Sequence, residues 1–120
     1  MGNPVVHFEV SGKDGKTLQE FYGSLFDWQI DAANPMGYGV VDTGAGEGIA
    51  GGIGQSEQGD GHVTFYVRVP SCEDYLRKAE SLGGKTVMPR TEIPNMVTFA
   101  LLADPEGNVV GIVEEAVPAG

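Results

Sequence analysis

Hydrophobic and polar residues alternate with a period of two over Val5-Val6-His7-Phe8-Glu9-Val10 and again over His62-Val63-Thr64-Phe65-Tyr66-Val67, which predicts a strand at each. Alternation sends His7 and Glu9 to one face and Phe8 and Val10 to the other, and opposes His62, Thr64 and Tyr66 to Val63, Phe65 and Val67, which are expected to face helices. After the first strand, Asp14 is a suitable N-cap for a helix whose Leu18, Phe21, Tyr22 and Leu25 recur at helical spacing, a stripe expected to lie against a sheet. Three short strands follow at Trp28-Gln29-Ile30, Tyr38 to Asp42 and Ile49 to Ile53, broken by Asn34-Pro35 and by Gly44-Ala45-Gly46-Glu47-Gly48. Gly54 to Gly61, rich in glycine and charge, reads as a mobile connector. The order then returns. A strand over 62–69 precedes a helix started by Pro70-Ser71, where Ser71 and Asp74 resemble a capping box, with the stripe Cys72, Tyr75, Leu76, Ala79 and Leu82 and a stop at Gly83-Gly84. Strands at Lys85 to Met88, Val97 to Leu102 and Val109 to Glu115 close the chain, the last two joined by the type I turn Asp104-Pro105-Glu106-Gly107.

His62 follows His7 by 55 residues, so a strand, helix and three strands are used twice. The pattern predicts an α+β protein of two βαβββ modules, about 4–54 and about 61–116, within a single domain over 1–120. A chain of 120 residues with 41% hydrophobic content can bury a proper core. No apolar run approaches the roughly 20 residues that span a bilayer, and the start of the chain lacks the basic and apolar regions of a secretion signal, so a soluble, cytoplasmic protein is expected. Seventeen acidic against seven basic residues give a net charge of −10, which disfavours nucleic acid and anionic membranes and suits a cationic small molecule. The lone Cys72 sits in an apolar helical stripe and reads as a packed, inert thiol. The 19 glycines form no phosphate cradle: Gly44 to Gly54 lacks the Gly-Lys-Ser/Thr ending and no helical pattern follows it.

The doubled unit with a histidine on each first strand resembles the vicinal oxygen chelate superfamily, which includes glyoxalase I, extradiol dioxygenases and bleomycin-resistance proteins. The resemblance rests on Val6-His7-Phe8-Glu9-Val10 with Leu18-Gln19-Glu20-Phe21-Tyr22, and on Phe99 to Glu114 with Asp104-Pro105-Glu106-Gly107-Asn108. It implies a glyoxalase-like mixed sheet curled around an open concave cleft, with the ligand or metal on the concave face where His7 and His62 would point. It also implies a homodimer. In the enzymes of the family a carboxylate on each fourth strand completes the metal site. Here Gly111 stands at one of those positions, and Gly48 to Gly54 offers no carboxylate beyond Glu47 at its edge.

Two neutral imidazoles cannot complete the shell of a divalent ion, which takes roughly four to six donors, so no metal or other cofactor is expected. His7, Glu9, His62, Tyr66, Arg68 and Phe99 are the expected ligand-binding residues, with no catalytic group identified. The function that follows is metal-independent sequestration of an aromatic or cationic small molecule, as bleomycin-resistance proteins of this fold perform. The alternative is a metal-dependent lyase, isomerase or dioxygenase of the glyoxalase type, binding one divalent metal ion through His7 and His62 with Glu9 or Glu114. Tyr38 and Trp28 add stacking surface or core, and Met36, Met88 and Met96 are placed in or near loops.

Overall fold

A computed structural model describes residues 2–56 and 60–114. Eight strands and two helices are present among them: β1 (Val5–Gly12), α1 (Gly15–Phe26), β2 (Gln29–Asp31), β3 (Gly39–Asp42), β4 (Gly51–Gln55), β5 (His62–Val69), α2 (Cys72–Ser81), β6 (Lys85–Ile93), β7 (Val97–Ala103) and β8 (Val109–Glu114). The α+β class and the βαβββ order, used twice, are as expected. The chain forms two compact units, one spanning Val6–Thr64 and the other joining the N-terminal residues up to Val5 to the chain from Phe65 onward. The division falls inside β5, so His62 packs with the first unit although its strand continues into the second.

Each unit carries the same pairing. In the first, β1 lies parallel to β4, and β3 pairs antiparallel with β4 on one side and with β2 on the other. In the second, β5 lies parallel to β8, followed by antiparallel β7 and β6. A parallel pair needs a long crossover, and in both units the helix and two following strands provide it. Asp14 caps α1 by accepting from the Thr17 backbone N–H, and Ser71 caps α2 by accepting from that of Asp74. At the far end of α2, Gly83 takes a φ of +99°, while the Gly84 N–H reaches back to the Ala79 carbonyl at 2.8 Å. The Asp104 turn closes as expected, with Gly107 N–H on the Asp104 carbonyl at 2.9 Å.

The first core gathers Val10, Val41 and Ile53 with Phe8, Leu18, Tyr22, Trp28 and Ile30. The second gathers Val69, Cys72, Leu76, Ala100 and Ile112 with Val67, Tyr75 and Leu102. Burying a side chain such as Ile53 or Val41 contributes about 1.5–3 kcal/mol. The α1 stripe is narrower than its periodicity predicts, because Phe21 and Leu25 are 56% and 57% exposed. Asp27 turns the chain through a left-handed conformation, and Trp28 then stacks on Tyr22 at 6.0 Å and packs into the first core, which Leu25 does not join. Leu82 is exposed as well, since it is the C-cap residue of α2 rather than part of its buried face. Val63 and Phe65 are 71% and 44% exposed and join neither core, whereas Val67 and Val69, on the same face further along β5, pack in the α2 cluster.

Several strand boundaries move. Trp28 and Tyr38 precede β2 and β3, and β4 runs to Gln55, which takes the start of the expected connector into the sheet. β6 continues past Met88 through Pro89 to Ile93, with register irregularities on both sides of Met88, so Met88 is a strand residue. Proline is tolerated there because β6 is the last strand of its unit. Glu115 and residues 57–59 of the connector fall outside the described residues.

Candidate functional site

The polar face of β1 is the densest collection of reactive groups in the first unit. Strand alternation places Phe8 on the core side, tilted against Trp28 at 5.4 Å, and turns His7, Glu9 and Ser11 the other way. Tyr38, just before β3, reaches across to this face. Its hydroxyl donates to Glu9 Oε2 at 2.9 Å and lies 3.0 Å from His7 Nε2, with the two rings nearly parallel at 6.4 Å. The ring lies on the bare backbone of β4. A Cβ added to Gly52 would stand 1.7 Å from Tyr38 Oη, and one on Gly54 would stand 2.9 Å from Cδ1. Glycine at these two positions is therefore what lets Tyr38 occupy the face between His7 and Glu9.

His62 completes the group from the start of β5. Ser11 Oγ lies within 3.1 Å of both its ring nitrogens. Ser11 is buried and His62 exposed. Burial lowers the pKa of His7, with the nearby Glu9 acting in the opposite sense, so its charged form is disfavoured. The arrangement offers an imidazole, a phenol and a carboxylate in one hydrogen-bonded chain.

The remaining expected site residues lie in the second unit. Tyr66 is only 7% exposed, set edge-on to Phe99 at 6.5 Å and pressed on Gly111, whose added Cβ would be 2.3 Å from the Tyr66 ring. Arg68 is exposed, and its backbone N–H donates to the Pro4 carbonyl at 2.9 Å. Glu114 is committed elsewhere. It accepts from Arg90 Nε at 3.0 Å and from the Cys72 backbone N–H at 3.0 Å, and these bonds hold its carboxyl below the usual carboxylate range.

A divalent ion does not fit these donors. The carboxylate of Glu9 and the Nε2 of His7 both converge on the Tyr38 hydroxyl, so each already has a hydrogen-bond partner there. Glu114 is tied to Arg90 and the start of α2, and among the described residues no group of three or more His, Cys, Asp or Glu is placed to hold a metal. Cys72 is fully buried, and burial pushes its thiol up to about 11.

Sequence reasoning singled out His7, Glu9 and His62 but missed Ser11 and also Asn34, whose Oδ1 accepts from the Tyr38 backbone N–H at 3.0 Å and whose Nδ2 donates to the Tyr38 carbonyl at 2.7 Å, and it weighed Tyr38 only as stacking surface. The available signals were the glycines flanking Tyr38 and the glycines of β4, which leave room for a ring.

The family model for the glyoxalase-like domain matches residues 7–113. No curated protein matches the chain by sequence. Among solved structures, a hypothetical protein, BH1468 from Bacillus halodurans C-125, superposes with a TM-score of 0.72 at 12% identity, covering 100% of this chain and 99% of that one. Methylmalonyl-CoA epimerase from Mycobacterium tuberculosis gives 0.66 at 14% identity, over 94% of this chain and 88% of that one. A glyoxalase/bleomycin resistance protein/dioxygenase superfamily member from Vibrio splendidus 12B01 gives 0.63 at 13% identity, over 95% and 100%.

Proposed function

The chain belongs to the glyoxalase-like domain family, and from that premise we propose that it is a small-molecule binding protein that works without a metal ion, holding a cationic or aromatic ligand against the polar face of β1. The observation that carries this reading is the Tyr38 hydroxyl seated between His7 and Glu9 on a floor of glycines. The phenol ties up the groups that an ion would need, while the imidazole, the ring and the carboxylate remain a surface suited to a flat or protonated ligand. Net charge of −10 draws a cation toward such a surface. Sequestration needs no nucleophile and no proton transfer. The same reading takes the protein as a homodimer.

A thermal-shift screen of protonated aromatic amines, run in chelator and again with zinc, nickel or manganese, tests the proposal. A ligand at a hundredfold excess over its Kd stabilises by about 2.7 kcal/mol. The expected result is a set of compounds that raise Tm equally in both conditions and lose their effect in His7→Ala. Stabilisation that requires an added ion would instead support a metal-dependent enzyme.

A further inference from the structure

We propose that a pocket beside α1, apart from the polar face of β1, binds a free α-amino acid with an apolar side chain. The pocket has a volume of about 350 Å³, at the small end of the roughly 300–1,000 Å³ of small-molecule sites, and lies wholly within the Val6–Thr64 unit. Its walls are the first turn of α1, the segment from Ala32 to Gly37 and the end of β4 at Gln55. Alternation along β4 sends Ile53 into the core with Leu18 and leaves Gly52 and Gly54 against Tyr38. Gln55 and the pocket therefore lie on the opposite side of the sheet from His7 and Glu9.

Gln19 is the fixed point of this pocket. Its Nε2 donates to the Ile53 carbonyl at 2.8 Å and to the Gly37 carbonyl at 3.1 Å. Carbonyl oxygens can only accept, so the amide has one orientation and both of its protons are used. Gly39 makes room for it, since a Cβ added there would stand 2.8 Å from Nε2. Oε1 accepts no bond among the described residues, and none of their buried side-chain oxygens lacks a partner, so this oxygen is open to the pocket that Gln19 lines. An acceptor held rigidly in this way selects a ligand N–H or O–H.

Lys16 stands three residues earlier, on the same side of α1. It is exposed and pairs with no carboxylate among the described residues, because the adjacent cap, Asp14, commits both carboxylate oxygens to Thr17. Met36 is 65% exposed and, with Ala32, gives the pocket an apolar wall. A ligand that answers these three features carries an N–H donor for Gln19, a carboxylate for Lys16 and an apolar group for Met36. An apolar α-amino acid combines them, with ammonium and carboxylate on one carbon. It is also neutral overall, so the net charge of −10 does not repel it as it would a simple carboxylic acid.

Titration of isotope-labelled protein with L-leucine, L-methionine and L-phenylalanine, followed by backbone amide shifts, tests the site. At least one is expected to bind saturably at millimolar concentration, with shifts centred on Lys16, Gln19, Gly37 and Gln55 and an affinity unchanged in His7→Ala. Leucinamide, which lacks the carboxylate, and isocaproate, which lacks the ammonium, are each expected to bind about tenfold more weakly than leucine. Lys16→Glu, a change at an exposed position, is expected to weaken leucine by about tenfold while leucinamide binds as well as before or better. Gln19→Leu is expected to remove binding. Should that variant fail to fold, Lys16→Glu and the two analogues still decide the matter. No saturable shift with any of the three amino acids overturns the proposal, as does equal binding of leucine and both analogues. Binding whose shifts fall on His7 and Glu9, and which His7→Ala removes, belongs to the β1 face and overturns it too.

Discussion

Tyr38 and Gly52 are one device made of two residues. The ring has its place only because position 52 lacks a Cβ, which would stand 1.7 Å from the hydroxyl. Gly52→Ala is expected to expel Tyr38, cost about 1–3 kcal/mol as overpacking does, and abolish binding. In a Tyr38→Ala background the same change is expected to cost little, and urea unfolding of the four proteins in this cycle measures the coupling. Cys72 gives a second check at this scale. With the thiol pushed up to about 11, thiolate is on the order of one part in a thousand at pH 8, and the sulfur is fully buried. Native protein is expected to resist a disulfide reagent at pH 8 until denaturant unfolds it; rapid native labelling would contradict this packing. At this scale the sequence made His7 and Glu9 legible, because strand alternation is local. The roles of Tyr38, Asn34 and Ser11 were not, since their contacts bring together residues 29, 31 and 51 positions apart or depend on a loop conformation.

Among the elements, α2 is held at its start by two devices from different parts of the chain: the Ser71 cap and the Glu114 carboxylate on the Cys72 N–H. Ser71→Ala is expected to cost about 1 kcal/mol in urea unfolding. Glu114 has a pKa lowered mainly by the Arg90 hydrogen bond and then by the Cys72 N–H. A carboxyl with a lower pKa folded than unfolded contributes stability above its unfolded value, and the contribution fades as pH falls through the lower folded value. Glu114→Gln is therefore expected to unfold more easily than wild type at neutral pH, with the gap closing below about pH 4.5, the ordinary value for this group. A gap that stays constant across that range would contradict the assignment. Capping and the Asp104 turn could be read directly from the sequence, because each depends on residues three or four apart. The width of the α1 stripe could not. Periodicity marks a helix face, but the surface a neighbour covers depends on where Trp28 packs, and that is a tertiary outcome. The extension of β6 was hidden for a related reason, since Pro89 reads as a strand breaker unless the strand is known to lie at an edge.

For the whole molecule, a repeated unit, a strongly acidic composition and membership of the glyoxalase-like family leave the ligand as the central question. The homodimer reading predicts a species of about twice 12.6 kDa in sedimentation at micromolar concentration, and a 12.6 kDa species alone would refute it. Metal-independent binding at His7, Glu9 and Tyr38 is tested most directly by calorimetric titration of the best amine from the screen into chelator-treated protein. The account predicts saturable binding whose affinity is unchanged by added divalent ion and falls about tenfold or more, roughly 1.4 kcal/mol, in His7→Ala. Binding that disappears in chelator and returns with a stoichiometric ion would contradict it.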